Sequence, residues 1–108
     1  MRVSITERHC EVPSPVLERT EAQIGALVKY EGRATAADVV FTDEKHTRKV
    51  ELIVHVDGAS HVVARGESGD FRAALDQGID RMRRQLRDQR DRRRDHKAPP
   101  LSDGAPTE

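Results

Sequence analysis

The feature that most constrains the fold is a single apolar stripe in the second half of the chain. Phe71, Ala74, Leu75, Ile79, Met82 and Leu86 recur at helical spacing, and Asp70 or Ser68 stands where the first turn needs a cap. The stripe stops at Leu86. Gln89 and Arg93, which would continue it, are polar, yet neither glycine nor proline interrupts the chain before Pro99. The spacing predicts a helix from about Asp70 to Asp95, roughly 39 Å long at ~1.5 Å per residue, which outruns a six-residue strand by two or more turns. With 108 residues in all, the chain has room for one small domain whose remaining segments must form the surface that receives this stripe.

Those segments change period in order. Met1 to Thr6 alternates apolar with polar, a strand with Val3 and Ile5 facing inward. Ser14-Pro15 is an N-cap followed by proline at the first helical position, and Leu17, Ile24, Leu27 and Val28 then recur as a helix ending near Gly32. Gly25 inside that helix is read as a point of close approach to the sheet. Alternation returns with Val39 and Phe41, breaks at the charged turn Asp43 to Thr47, and resumes at Val50, Leu52, Val54 and Val56, which predicts a hairpin. Asp57-Gly58 reverses the chain into a fourth strand, His61 to Arg65, before the capping turn Gly66 to Asp70. The expected fold is α+β, in the order β-α-β-β-β-α: an antiparallel-rich four-stranded sheet with both helices on one face. Glu51, Ile53 and His55 would lie on the solvent face. Residues 1–97 form the domain and 98–108, rich in proline and small residues, a disordered tail.

Charge is distributed unevenly. Nineteen basic residues balance nineteen acidic ones, so there is no global attraction to nucleic acid or membrane. From Arg81 to Lys97, however, nine basic residues face three acidic ones, a local balance of +6, and the rest of the chain carries −6. On a helix, Arg83, Arg87, Arg90 and Arg94 fall within an arc of about 60°, with Asp88, Asp91 and Asp95 centred about 100° away. Arg84 lies nearer these acids, and its spacing allows a pair with Asp88. Four guanidinium forks spread over about 16 Å match the oxygens of a phosphate backbone. A solvated helix end laced with salt bridges has the same composition, so charge alone leaves RNA, an acidic protein groove and plain solvent open.

Other chemistries are argued against. Tyr30, Phe41 and Phe71 are the only aromatics, too few for base stacking platforms. Cys10, the one cysteine, is read as a small semi-buried filler. No apolar run reaches the length of a membrane span, and a cytoplasmic protein is expected. His55 and His61 could meet across a reversal, but two histidines without further ligands make a poor metal site, so no metal and no cofactor are expected. Gly66-Glu67-Ser68-Gly69-Asp70 lacks the last glycine of a nucleophile elbow. Asp76 and Asp80, one turn apart, are read as partners of Arg72, Arg83 or Arg84 rather than as an acid-base pair. No phosphate loop or dinucleotide fingerprint is present, and an enzyme is not expected.

The run Gly66 to Asp76, followed by Ile79-Asp80-Arg81-Met82-Arg83-Arg84-Gln85-Leu86-Arg87, resembles the second-helix signature of the ribosome hibernation promoting factor and protein Y family. Val3 to Thr6 with Val12, and Val50 to Val56 followed by Asp57-Gly58, are similar to that family in the same order, so the likeness covers about residues 1 to 97. The resemblance implies a fold like that of double-stranded RNA binding domains. It also implies docking on the small ribosomal subunit and its rRNA, in the channel used by messenger and transfer RNA, with translation blocked under starvation or stress. Basic side chains of the helices contact rRNA in the family. Here that points to Arg83, Arg84, Arg87, Arg90 and Arg94, with Arg19 and Lys29 as first-helix candidates. The first helix is poor in lysine, which shifts weight to the second. A monomer is expected, and DNA is not an expected partner. Two other readings compete: a general structured-RNA binder, and a protein-interaction regulator whose basic helix docks an acidic groove.

Overall fold

The computed structural model describes residues 1–27, 29, 31–58 and 61–97, without the side chains of 93–97. The tail, Val28 and the side chain of Arg94 therefore lie outside the described residues. The elements are β1 (Arg2–Arg8), α1 (Ser14–Leu27), β2 (Ala34–Glu44), β3 (Thr47–Val56), β4 (Val62–Ser68) and α2 (Phe71–Lys97). The strands lie in the order β1-β2-β3-β4. β2-β3 and β3-β4 are antiparallel, whereas β1 runs parallel to β2 because α1 carries the chain back between them.

Alternation sorts the sheet into two faces. Val39 pairs with Leu52 and Leu52 with Ala64, and all three are buried with Ile24 and Leu27 of α1 and Leu75, Met82 and Leu86 of α2. Both helices therefore cover the same face. Phe41 and Phe71 meet edge to face, with ring centroids 5.5 Å apart. Glu51, Ile53 and His55 line the opposite, half-buried face as expected, where Arg65 holds Glu51 and His55 holds Asp38.

β1 departs from expectation. Val3 and Ile5 pair with the core residues Ala37 and Val39, so they point to the helix face, but Val3 remains 37% exposed and Ile5 is only half-buried. β1 is an edge strand, and an edge residue loses cover on one side.

α1 also differs. Its stripe is Val16, Thr20, Ile24 and Leu27, and the Thr20 hydroxyl satisfies itself in the core by donating to the Val16 carbonyl at 2.8 Å. The Pro13 carbonyl accepts the Val16 and Leu17 amides, the place the sequence assigned to a Ser14 cap. The helix stops at Leu27, not near Gly32, because the chain tightens at once. Lys29 N donates to Ala26 O, and the buried Glu31 takes Ala34 N on its carbonyl and Arg33 N on its carboxylate. Gly25 is exposed with open space where a Cβ would sit, so it mediates no close approach.

The close approach occurs where α2 crosses β4. A Cβ on Gly66 would stand 1.9 Å from Ala74 O, and one on Gly78 would stand 2.4 Å from Leu52 Cδ1. Gly66 is thus a strand residue against which the helix backbone rests, while Asp70 is the cap, its Oδ1 accepting from Ala73 N at 2.8 Å. Leu86 is fully buried and is the last core residue of α2. The helix continues to Lys97, about 16 Å further at ~1.5 Å per residue.

Candidate nucleic-acid interface

Beside the buried stripe of α2, three polar side chains that spacing alone did not single out line the helix on its β4 side. Gln77, Arg81 and Gln85, at i, i+4 and i+8, lie along the free edge of β4. Gln77 Oε1 accepts from Glu67 N at 3.2 Å, Arg81 Nη1 donates to Arg65 O at 2.6 Å, and Gln85 Nε2 donates to Val63 O at 2.8 Å. The ladder satisfies edge groups that would otherwise be open to another strand, and it agrees with the rotation of α2 that the buried stripe sets. Arg83, Arg87 and Arg90 are centred about 150° round the helix from it at 100° per residue, on the side that faces α1. The signal for this ladder was a helical repeat of hydrogen-bonding side chains, visible only once β4 is known to be an edge.

Arg83 lies half-buried, with Asp76, Asp80 and Ile79, in a shallow groove whose other wall is Arg19 and Gln23 of α1. Arg19 grips Asp76, Nε to Oδ1 at 2.9 Å and Nη2 to Oδ2 at 3.3 Å. Asp80 is shared: Arg83 Nη1 stands 3.8 Å from Oδ1, and Arg84 Nη2 bonds Oδ2. Arg84 thus pairs back to Asp80, one turn earlier, in place of the Asp88 pairing its spacing allowed. Asp80 meets Arg83 and Arg84 as expected, whereas Asp76 turns to α1.

Beyond Asp80 the surroundings change. Arg87 is exposed and Arg90 half-buried, and among the described residues neither forms an ion pair. Arg90 Nε is shielded from solvent without an acceptor among the described residues. Arg94 occupies its helical position, and its side chain lies outside the described residues. Lys29 is exposed in the turn after α1, away from the Arg19–Asp76 groove. The structure therefore brings Arg19 and Arg83 into one groove, places Arg87 and Arg90 on the projecting part of the same helix, and sets Lys29 apart.

Other candidates resolve into structure. His55 and His61 do meet, with rings 5.3 Å apart, but Asp38 Oδ2 holds His55 Nε2 at 2.9 Å, and the described residues contain no group of three or more potential metal ligands. Cys10 is half-buried, packs against the core and contacts Phe41 O at 3.4 Å. Burial and the nearby Glu7 and Asp43 carboxylates push its thiol pKa up, the reverse of a reactive cysteine. No described helix is long and apolar enough to cross a membrane.

Comparison with known proteins identifies the architecture. The family model for sigma 54 modulation protein / S30EA ribosomal protein matches residues 3–94, spanning β1 through the projecting part of α2. The chain belongs to this family. Relatives of this S30EA chain include the ribosome hibernation promoting factor of Azotobacter vinelandii, 36% identical over 86 residues, covering 80% of this chain and 79% of the relative. The factor of the same name from Escherichia coli K12 is 31% identical over 96 residues, covering 89% of this chain and all of the relative. Among solved structures, a ribosomal subunit interface protein from Coxiella burnetii superposes with a TM-score of 0.74 at 19% identity, over 84% of this chain and 99% of that one. The N-terminal domain of Thermus thermophilus Protein Y superposes with a TM-score of 0.71 at 23% identity, over 82% and 98%. These two share the fold of this S30EA chain.

Proposed function

We propose that this chain is a cytoplasmic ribosome hibernation factor that binds the small ribosomal subunit, occupies the channel taken by messenger and transfer RNA, and blocks translation by steric occlusion. The observation that carries this reading is the match of the whole β-α-β-β-β-α unit to the S30EA family, with relatives named ribosome hibernation promoting factors. The geometry supports it independently. Helix α2 projects past its own core and presents Arg87 and Arg90, which form no ion pair among the described residues, and this suits a phosphate backbone better than a closed protein surface. Phosphate contacts would supply affinity, and the shape of the domain would supply position. The protein would act as a monomer, without catalysis or cofactor.

The test is co-sedimentation with isolated small subunits at near-physiological salt, beside a variant carrying alanine at Arg87, Arg90 and Arg94. Stoichiometric binding is expected for the natural sequence, competed by messenger and initiator transfer RNA, and lost in the variant. A folded natural protein that stays in the supernatant would overturn the ribosomal reading. Equal binding to free duplex RNA would replace it with that of a general RNA binder.

A further inference from the structure

The stripe Arg83, Arg87, Arg90 and Arg94 is one row on the helix but two electrostatic environments. In the half that lies over the sheet, Asp80 stands between Arg83 and Arg84, and Asp76 is held by Arg19 one turn earlier. The Asp80 carboxylate, 3.8 Å from the Arg83 guanidinium, opposes an anion approaching Arg83. In the projecting half, Arg87 and Arg90 have no ion-pair partner among the described residues: Asp88 lies about 100° round the helix from Arg87, and Asp91, at i+4 from Arg87, forms no ion pair with it. Arg90 is half-buried, with its Nε shielded from solvent and without an acceptor among the described residues.

We infer that phosphate recognition on α2 is confined to the projecting half of the helix, beginning at Arg87, and that Asp80 sets this boundary by engaging Arg83 and Arg84. This deepens the ribosomal reading above and rests on it. Asp80 is then a specificity-determining residue: it removes two arginines from a general polyanion surface, so that only a partner able to reach the helix end is held. Arg19, clasped by Asp76, is a positioning residue that ties α1 to α2.

The salt dependence of binding to isolated small subunits tests the assignment, because each phosphate neutralised contributes roughly 0.7 to 0.9 to the slope of log K against log salt. Arg87→Ala and Arg90→Ala are each expected to flatten the slope by about that amount, and Arg83→Ala to leave it unchanged. Asp80→Asn, which keeps the shape and removes the charge, is expected to tighten binding about fivefold at low salt and to steepen the slope. The triple variant Asp80→Asn with Arg83→Ala and Arg84→Ala should lose the gain. Thermal unfolding of each variant checks that it is folded. A slope lowered as much by Arg83→Ala as by Arg87→Ala would overturn the boundary, as would an unchanged slope in Asp80→Asn. Absence of natural-sequence binding would instead overturn the ribosomal reading itself and this assignment with it.

Discussion

Arg19 of α1 and Asp76 of α2 form a two-pronged ion pair across the groove between the helices, Nε to Oδ1 at 2.9 Å and Nη2 to Oδ2 at 3.3 Å. Their side chains are 35% and 43% exposed, so solvent screens the pair and its contribution is about 0.2 to 1 kcal/mol. Asp76→Ala should lower the urea unfolding free energy by that amount and release Arg19. A loss above about 2 kcal/mol would mean that the clasp organises the helix packing rather than decorating it.

The two glycines at the α2–β4 crossing should be far less tolerant. The Cβ of Gly78→Ala would press on the flexible end of Leu52, a cost of about 1 to 3 kcal/mol. In Gly66→Ala it would meet backbone of Ala74 at 1.9 Å, which no side-chain rotation relieves, so the loss should exceed about 3 kcal/mol. Equilibrium denaturation orders the two, and Gly25→Ala, with open space at its Cβ, should be neutral or stabilising by up to about 1 kcal/mol.

These positions also show what was legible from residue order. Asp70, the stripe ending at Leu86 and the hairpin alternation were readable because each depends on local period and capping, which the sequence carries directly. Gly25 and Gly66 were not separable, since a glycine's packing role depends on which backbone crosses it. The end of α1 was missed because a buried Glu31 supplies the turn, and its carboxylate gives no sign in sequence that it folds back onto Arg33. In the interface, the arginine row was visible from helical spacing. Its division at Asp80 was not, because Arg84 had two acids at equal spacing and only the folded chain chooses between them.

Leu86 marks where α2 leaves the core. It is fully buried, so Leu86→Ala should cost about 2 to 5 kcal/mol in urea unfolding. A cost below half of the lower bound would place the end of the core a turn earlier, near Met82.

Cys10 should be a slow nucleophile. Burial and the adjacent Glu7 and Asp43 charges raise its pKa, so the neutral thiol is favoured in the folded state. Any stability from this preference is complete below the unfolded pKa and is lost as pH rises through the higher folded value. Alkylation followed by mass spectrometry should be slower at pH 8 than for the urea-unfolded chain. The midpoint of its pH profile should lie above the ordinary thiol value. A folded-state rate equal to the unfolded one would contradict the burial.

The β2–β3 hairpin closes through Lys45 and His46, whose φ angles are 46° and 68°. A two-residue turn with both φ positive matches the twist of the strands, but it favours Asn-Gly because other side chains crowd the backbone there. Flanking ion pairs hold the turn: Arg48 to Asp43 at 2.8 Å and Lys49 to Glu44 at 2.7 Å. The Lys49 hydrogen bond and charge lower the Glu44 pKa, and Glu44 raises that of Lys49. The Glu44 contribution is therefore lost as pH falls through its lowered value, and that of Lys49 as pH rises through its raised one. Replacing Lys45-His46 by Asn-Gly should relieve the strained backbone while keeping both pairs, raising stability by about 1 to 2 kcal/mol. Urea unfolding near neutral pH, where both pairs are charged, measures the gain directly. No gain would mean that contacts of the native Lys45 and His46 side chains already offset the cost of their backbone conformation.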